Sequence, residues 1–288
     1  TQEFLDFRIY DKMLNHNEID QIYNIYSQTI YNVEFKENSL INLLGVAGGG
    51  SGGADYGGGG GSGGLIEIYN KNIQKNTDLY TIKVGKGGDR VISNNNTGKL
   101  QGQTGGNTEI FNTILRGGGG GGSYGYNGLD GGSGGGGGYN IKKGGNIFKP
   151  HYSDIINNIF NEKYLSYYGS KSVATSSGKG GGEYYETNII GDKLTLGLGG
   201  KGRTDYNNLD MRIYFDDAVN YGEGGGGAGW PRWIRNVNPV SGKGGDGITI
   251  INYSLLKENP KINLINENTC YVKFISDLDN LYAYSEYS

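Results

Sequence analysis

Long, nearly pure glycine runs are the feature that most constrains this chain. The first extends from residue 45 to 64 and the second from 117 to 138, and shorter runs cover 178–182 and 222–229. Glycine supplies 57 of the 288 residues, roughly three times its ordinary usage of about 7%. These runs are either slack linkers or built structure, and most of what the sequence says about function depends on which.

The linker interpretation rests on entropy, because glycine loses more backbone freedom on ordering than any other residue. Gly/Ser segments are also the usual flexible linkers. Three features favour order instead. The runs interrupt strands inside one pattern, and several long linkers nested between strands are rare. Lysine-bearing glycine turns recur, with G-K-G-G starting at 85, 178 and 242 and G-G-K-G at 199. Serine is sparse within the runs.

Polyglycine II helices are the ordered alternative. Glycine can adopt a left-handed threefold helix with a rise of about 3.1 Å per residue and no internal hydrogen bonds. Helices of this kind that pack side by side can satisfy one another's backbone groups. We therefore predict ordered polyglycine helices that contain Gly48, Gly49, Gly50, Gly57, Gly58, Gly59, Gly60, Gly117, Gly118, Gly119, Gly120, Gly134, Gly135, Gly136, Gly224, Gly225 and Gly226.

Alternating apolar residues predict short strands along most of the remaining chain. We expect strands at 4–10, 31–35, 41–44, 65–69, 80–84, 110–115, 194–198, 211–215, 248–253 and 270–274. Residues 93–107, rich in Asn, Thr, Gln and Gly, predict an exposed loop. Two segments have apolar residues at helical spacing, and we expect short helices there, at 15–24 and 153–168.

Composition argues against several classes of function. The net charge is −3 with Lys and Arg scattered, so a nucleic-acid partner is not expected. No apolar run approaches the ~18 residues of a membrane span, so membrane insertion is not expected. His16 and His151 lack metal-ligand spacing, and a single cysteine, Cys270, permits no intrachain disulfide. Asp216–Asp217 suits a solvated turn better than a calcium site. With no nucleophile or phosphate-loop motif, we expect no cofactor, no metal and no enzyme activity.

The N-terminal segment from Asp6 to Asn24 contains R-I-Y, then D-K-M-L, then E-I-D-Q-I-Y. It resembles the C-terminal end of laminin-G-like, concanavalin A-like lectin domains. The resemblance implies that residues 1–29 end a lectin-like β-sandwich whose remainder lies upstream, together with its sugar or calcium residues.

The order of later motifs also resembles a known family. V-A-G-G-G-S-G-G leads into a glycine run, followed by L-I-E-I-Y, Y-T-I-K-V-G-K-G-G, a second run and I-T-I-I-N-Y. This is similar to the glycine-rich domains of virus and phage structural proteins and of anaplastic lymphoma kinase and leukocyte tyrosine kinase receptors, and to the polyglycine sandwich of T-even-like phage tail-fibre adhesins. The resemblance implies a mainly β fold for 30–253, a jelly-roll/TNF-like β-sandwich with inserted polyglycine II helices and one or two short α-helices. Residues 254–288 would be a C-terminal strand or linker to a following segment.

Two functions remain open at this stage. The chain could be a structural component of an extracellular or virion-surface fibre, with other structural proteins or copies of itself as partners. It could instead be an adhesin that recognises a host glycan or protein through loops. Candidate contacts are the aromatic faces of Trp230 and Trp233 and the loop residues Asn94, Asn95 and Asn96. The alternative for the tryptophans is packing over the glycine runs or their sheet.

Overall fold

A computed structural model describes residues 30–35, 38–75, 80–93, 100–139, 143–148, 185–202, 217–229, 238–255, 270–275 and 283–284. The described residues form strands and no α-helix, which confirms the prediction of a mainly β fold. The strands are β1 (Ile30–Val33), β2 (Ser39–Val46), β3 (Leu65–Ile73), β4 (Tyr80–Lys83), β5 (Thr108–Ile110), β6 (Thr113–Leu115), β7 (Tyr185–Thr187), β8 (Leu194–Leu196), β9 (Ile248–Leu255), β10 (Cys270–Ile275) and β11 (Ala283–Tyr284). The predicted helices, and the predicted strands at 4–10 and 211–215, lie outside these residues.

The strands form three antiparallel sheets. One has the order β1-β4-β5-β6, a second the order β11-β10-β9-β2-β3, and a third is the hairpin β7-β8. Because β10 pairs with β9 over six residue pairs, the strand predicted around Cys270 extends the same sheet that contains β2.

Strand β2 is buried on both faces and connects two hydrophobic clusters. Ile41 and Leu43 belong to a cluster shared with the four-stranded sheet. Leu44 and Val46 point the other way, into a cluster shared with β9 and with Leu196 of the hairpin. Because alternate side chains of a strand face opposite sides, the five-stranded sheet is the middle layer of the described fold.

Two details of the strands differ from the prediction. Residues 110–115 were expected to form one strand, but a hairpin turn divides them at Phe111 and Asn112, whose φ angles are +50° and +61°. Phe111 lies in the core, with its ring centroid 5.0 Å from that of Tyr80, so its packing favours the turn. Strand β7 was not predicted, because Tyr185–Thr187 is only three residues long and gives no periodic signal.

Five glycine-rich segments meet the two larger sheets at the same end of their strands. Val46 is paired with Leu65 and with Ile248, and Thr108 is paired with Leu115 in the other sheet. The Thr108 hydroxyl donates to the carbonyl of Val46 across the two sheets, at 2.9 Å. Every one of these residues borders a glycine-rich segment, so the segments meet beyond this single edge.

Candidate functional site

The glycine-rich segments meet in one bundle of extended chain, which is the most distinctive site of the molecule. We name its members run A (47–54), run B (57–64), run C (85–92), run D (100–106), run E (116–122), run F (133–138), run G (197–202), run H (222–228) and run I (240–247). The glycines predicted to be structural all lie in runs A, B, E, F and H, and all are buried.

Run A shows how the bundle is held together. Its N–H groups donate to three different neighbours, and every third residue returns to the same neighbour, at distances of 2.8–3.1 Å. The pairs are 47→64, 50→61 and 53→58 to run B; 48→106, 51→103 and 54→100 to run D; and 49→245 and 52→242 to run I. A chain with three residues per turn produces this pattern, because residues three apart then face the same direction.

The carbonyls of run A bind three further neighbours. Gly48 and Ser51 accept from run E, Gly50 and Gly53 accept from run H, and Gly49 accepts from Gly88 of run C, at 2.8–2.9 Å. Run A therefore has six hydrogen-bonded neighbours. Its backbone is buried yet paired, so it avoids the cost of burying polar groups without partners.

The close approach of the runs explains why their interior residues are glycine. A Cβ built on Gly50 would lie 2.3 Å from the carbonyl oxygen of Gly119, and one on Gly49 would lie 1.9 Å from that of Glu223. Real Cβ atoms essentially never come within 3.0 Å of a neighbouring atom, and a backbone oxygen cannot rotate away as a side chain can. Any other residue would have to push two runs apart.

The few serines within the runs occupy places where a side chain fits. Ser51 is fully buried, and its hydroxyl accepts a hydrogen bond from the N–H of Gln103 at 2.8 Å. The hydroxyls of Ser62 and Ser133 lie 2.8 Å apart and link runs B and F. The interruptions in the glycine sequence therefore mark local gaps that a small hydroxyl fills.

Residues 100–106 correct the prediction of an exposed loop over 93–107. They form run D, and Gly102 and Gly105 are buried against run A. A Cβ at either glycine would lie 2.2 Å from a run A carbonyl oxygen, that of Ser51 or of Gly48. The spacing of three residues between these glycines could have indicated a buried run. The polar composition of the segment favoured the loop interpretation instead.

The end of the bundle far from the sheets carries a cluster of tyrosines. Runs A and B are joined there by Asp55 and Tyr56, both in the left-handed region with φ of +62° and +50°. The ring of Tyr56 lies 6.0 Å from that of Tyr124 and 5.6 Å from that of Tyr139, and those two rings stack at 5.7 Å. Tyr126, two residues after Tyr124, is 46% exposed. Left-handed backbone at a non-glycine residue is costly and concentrates at functional sites.

The residues predicted as contacts lie outside the described part of the chain, so Trp230, Trp233, Asn94, Asn95 and Asn96 have no described position. Their described flanks reach the tyrosine end. The N–H of Ala54 donates to Leu100, which follows the asparagines, and the N–H of Ala228, two residues before Trp230, donates to Gly53.

Charged side chains lie on the outside of the bundle. Arg90 forms an ion pair with Asp217, with 2.9 Å between Nε and Oδ1. The hydrogen bond from Arg90 holds the pKa of Asp217 below its ordinary value; partial burial opposes this shift, and the N–H of Lys243 adds to it. This pair joins the loop at 217–218 to run C.

A second polar cluster lies between β3 and the hairpin β7-β8. Glu67 is 6% exposed, and its carboxylate accepts hydrogen bonds from the hydroxyls of Tyr69, Tyr185 and Thr187. Burial raises the pKa of Tyr69; the contact with the Thr187 hydroxyl opposes this shift, and the hydrogen bond and negative charge of Glu67 add to it. Three donors for one carboxylate make this a structural contact that fixes the hairpin.

Within the described ranges, no three His, Cys, Asp or Glu residues are grouped so that they could hold a metal ion. The same part of the chain contains no helix with the length and apolar character needed to cross a membrane.

The fold and the bundle together define a β protein that carries a scaffold of close-packed glycine runs. The profile of a family described as a glycine-rich domain matches residues 26–254, and the chain belongs to that family. A search of curated proteins found no sequence that matches.

Proposed function

We propose that this protein is a non-enzymatic structural module of an extracellular or virion-surface assembly, in which polyglycine II helices stiffen a jelly-roll β-sandwich. The observation that carries the proposal is run A, with hydrogen bonds of period three to six neighbours. This period and the absence of hydrogen bonds within the run are the properties of a threefold helix. Two sheets that share one core support the sandwich part of the proposal.

Rigidity follows from how such a bundle can move. Each interior run is bonded on several sides, so it cannot slide or bend without breaking hydrogen bonds to more than one neighbour at once. Run A carries no side chain larger than that of serine, so it has few rotamers to change. A fibre or capsid-associated component needs this resistance to bending, and the same resistance is of little use in a flexible linker. The expected partners are other structural proteins or copies of this chain.

Hydrogen exchange and labelling test the two parts of this proposal. We expect the amides of Gly50 and Ser51 to exchange far more slowly than those of an exposed peptide, because neither can open without separating run A from a neighbouring run. Exchange at the rate of an exposed peptide would contradict the stiffening role. Antibodies against the purified chain should label intact particles or cells from the outside, and labelling only after permeabilisation would contradict the location.

A second candidate function is favoured by the tyrosine end. Tyr126 is exposed and Tyr124 and Tyr139 are partly exposed, and tyrosine suits contact surfaces because it combines an apolar ring with a polar tip. The chain would then act as an adhesin that recognises a host glycan or protein, with Trp230, Trp233 and the Asn94–Asn96 segment as further candidate contacts.

Glycan-array binding tests the adhesin function. We expect Tyr126→Ala and Trp230→Ala to reduce binding at least tenfold if the tyrosine end is the contact surface. Phe148→Ala is a matched control, because Phe148 is also 46% exposed but pairs with Gly131 near the sheet end of the bundle. Equal losses in Tyr126→Ala and Phe148→Ala would contradict a specific contact at the tyrosine end.

A further inference from the structure

Lysines recur within the glycine motifs, and the stiffening role does not account for them. Lys86 and Lys243 belong to G-K-G-G sequences and Lys201 to G-G-K-G. Glycine runs need no charge to form hydrogen bonds, and within run A the positions that are not glycine are alanine or serine. A residue with a side chain between the glycines of three motifs therefore calls for a separate physical reason.

Among the described residues, all three lysines lie on runs at the outside of the bundle. Lys201 is exposed, and Lys86 and Lys243 are half-buried. Their carbonyls still accept hydrogen bonds from described neighbours: that of Lys86 from Gly106, that of Lys201 from Gly227 and that of Lys243 from Ala218. Each lysine thus contributes its backbone carbonyl to the bundle, while its residue stays exposed at Lys201 and partly exposed at Lys86 and Lys243.

The outside of such a bundle poses the same problem as the edge of a β-sheet. An edge with unsatisfied N–H and C=O groups can pair with another chain, and natural sheets prevent this with charged residues, lysine above all. Polyglycine runs add a steric condition, since inside this bundle a Cβ would typically lie only about 2 Å from a neighbouring backbone oxygen, as at Gly48 and Gly52. A side chain on an outer run therefore blocks the approach of a further run.

We propose that Lys86, Lys201 and Lys243 terminate the bundle laterally and prevent it from pairing with the glycine runs of a second copy of this chain. The partner that each outer run fits is another polyglycine run, and the Cβ of the lysine is the group that excludes it. Assembly into a larger structure then proceeds through surfaces other than the sides of the bundle. This inference concerns association between copies and does not depend on the proposed location of the protein.

The test compares two triple variants of the full chain by light scattering coupled to size exclusion, over a range of concentrations. Lys86→Gly/Lys201→Gly/Lys243→Gly removes charge and Cβ together, and we expect its mass to rise at least twofold above wild type. Lys86→Ala/Lys201→Ala/Lys243→Ala removes the same charges but keeps each Cβ, and we expect the wild-type mass.

Two results would overturn the proposal. One is a glycine triple with the wild-type mass at every concentration. The other is an alanine triple that associates as strongly as the glycine triple, since loss of charge alone would then explain the effect. If the glycine triple does not fold, Lys201→Gly and Lys201→Ala repeat the comparison at the exposed position, with the same expectations and the same contradicting results.

Discussion

The two regions of this molecule are stabilised by opposite means. The sheets are held by apolar side chains on both faces of β2, so their stability depends on what each side chain fills. The bundle is held by backbone hydrogen bonds between glycine runs, so its stability depends on side chains being absent. The same substitution, to alanine, should therefore damage the sheets by removing atoms and damage the bundle by adding one.

Removing atoms from the core should give the largest effect. Leu44 is fully buried in β2, and replacing such a leucine by alanine typically costs about 2–5 kcal/mol because a cavity is left. We expect Leu44→Ala to lower the free energy of unfolding by that amount in denaturant titration. Leu40→Ala, at a half-buried position of the same strand, should cost much less. Equal costs would indicate that the β2 core does not carry the stability assigned to it.

Adding one methyl group should be the most damaging change in the bundle. A Cβ on Gly63 would lie 2.0 Å from the carbonyl oxygen of Ala47, whereas a Cβ on the adjacent Gly64 would have its nearest atom, the oxygen of Arg116, at 3.2 Å. Overpacking typically costs about 1–3 kcal/mol, while the lower entropy of the unfolded alanine chain offsets about 0.4–1 kcal/mol. We expect Gly63→Ala to be destabilising by this net amount and Gly64→Ala to be nearly neutral.

Hydrogen exchange of the Gly63→Ala variant also distinguishes the bundle from the sheets. Gly63→Ala should speed the exchange of run A and run B amides while β9 and β10 stay protected, because the added atom opens the bundle first. A uniform acceleration over sheets and bundle would show instead that the two regions unfold as one cooperative unit.

The hydrogen bonds between Glu67 and the hairpin β7-β8 provide a test of a polar contribution to the stability of the sheets. Glu67→Ala would leave the hydroxyls of the buried Thr187 and the half-buried Tyr185 without this acceptor, and an unpaired buried polar group costs about 1–3 kcal/mol. We expect a loss of about 2 kcal/mol and faster amide exchange in β7 and β8. Glu67→Gln keeps one acceptor oxygen and should recover part of the stability. If both variants weaken the hairpin equally, the hydrogen bonds to the carboxylate are not what fixes it.

Alternating apolar and polar residues predicted most strands of the sheets, such as β4 and β9, because burial on one face leaves a period of two in the sequence. It also singled out the long glycine runs, since near-pure glycine between strands is hard to explain as linker. It failed where the signal was short or diluted. Strand β7 has only three residues, and run D presents its glycines among Gln and Thr, so that only the spacing of Gly102 and Gly105 indicated a buried run.

The neighbours of each run could not be predicted at all. Run A bonds to residues as distant along the chain as Gly245 and Gly225, and every glycine run offers the same backbone groups to every other. Side chains that normally specify a partner are missing inside the bundle. The strand pairing at its sheet end, for example Val46 with Leu65 and Ile248, is what brings the runs together in one arrangement.

The ion pair outside the bundle should give the smallest effect and a defined pH dependence. The pKa of Asp217 is lowered in the folded state, chiefly by its hydrogen bond from Arg90. Its contribution to stability is therefore present above the unfolded pKa of about 3.9 and is lost as the pH falls through the lower, folded value. The pair is well exposed, so solvent screening limits the contribution to roughly 0.5 kcal/mol. We expect Arg90→Ala to lower the free energy of unfolding by this amount at pH 7, with the difference from wild type disappearing in strong acid.

Lys193→Ala is the control. It removes a comparable exposed ion pair, with Glu186, from the hairpin, so its effect reports on the sheets and not on the bundle. A loss in Arg90→Ala that persists unchanged in acid would mean that the arginine side chain stabilises the bundle by packing, and the pair would then not act through charge.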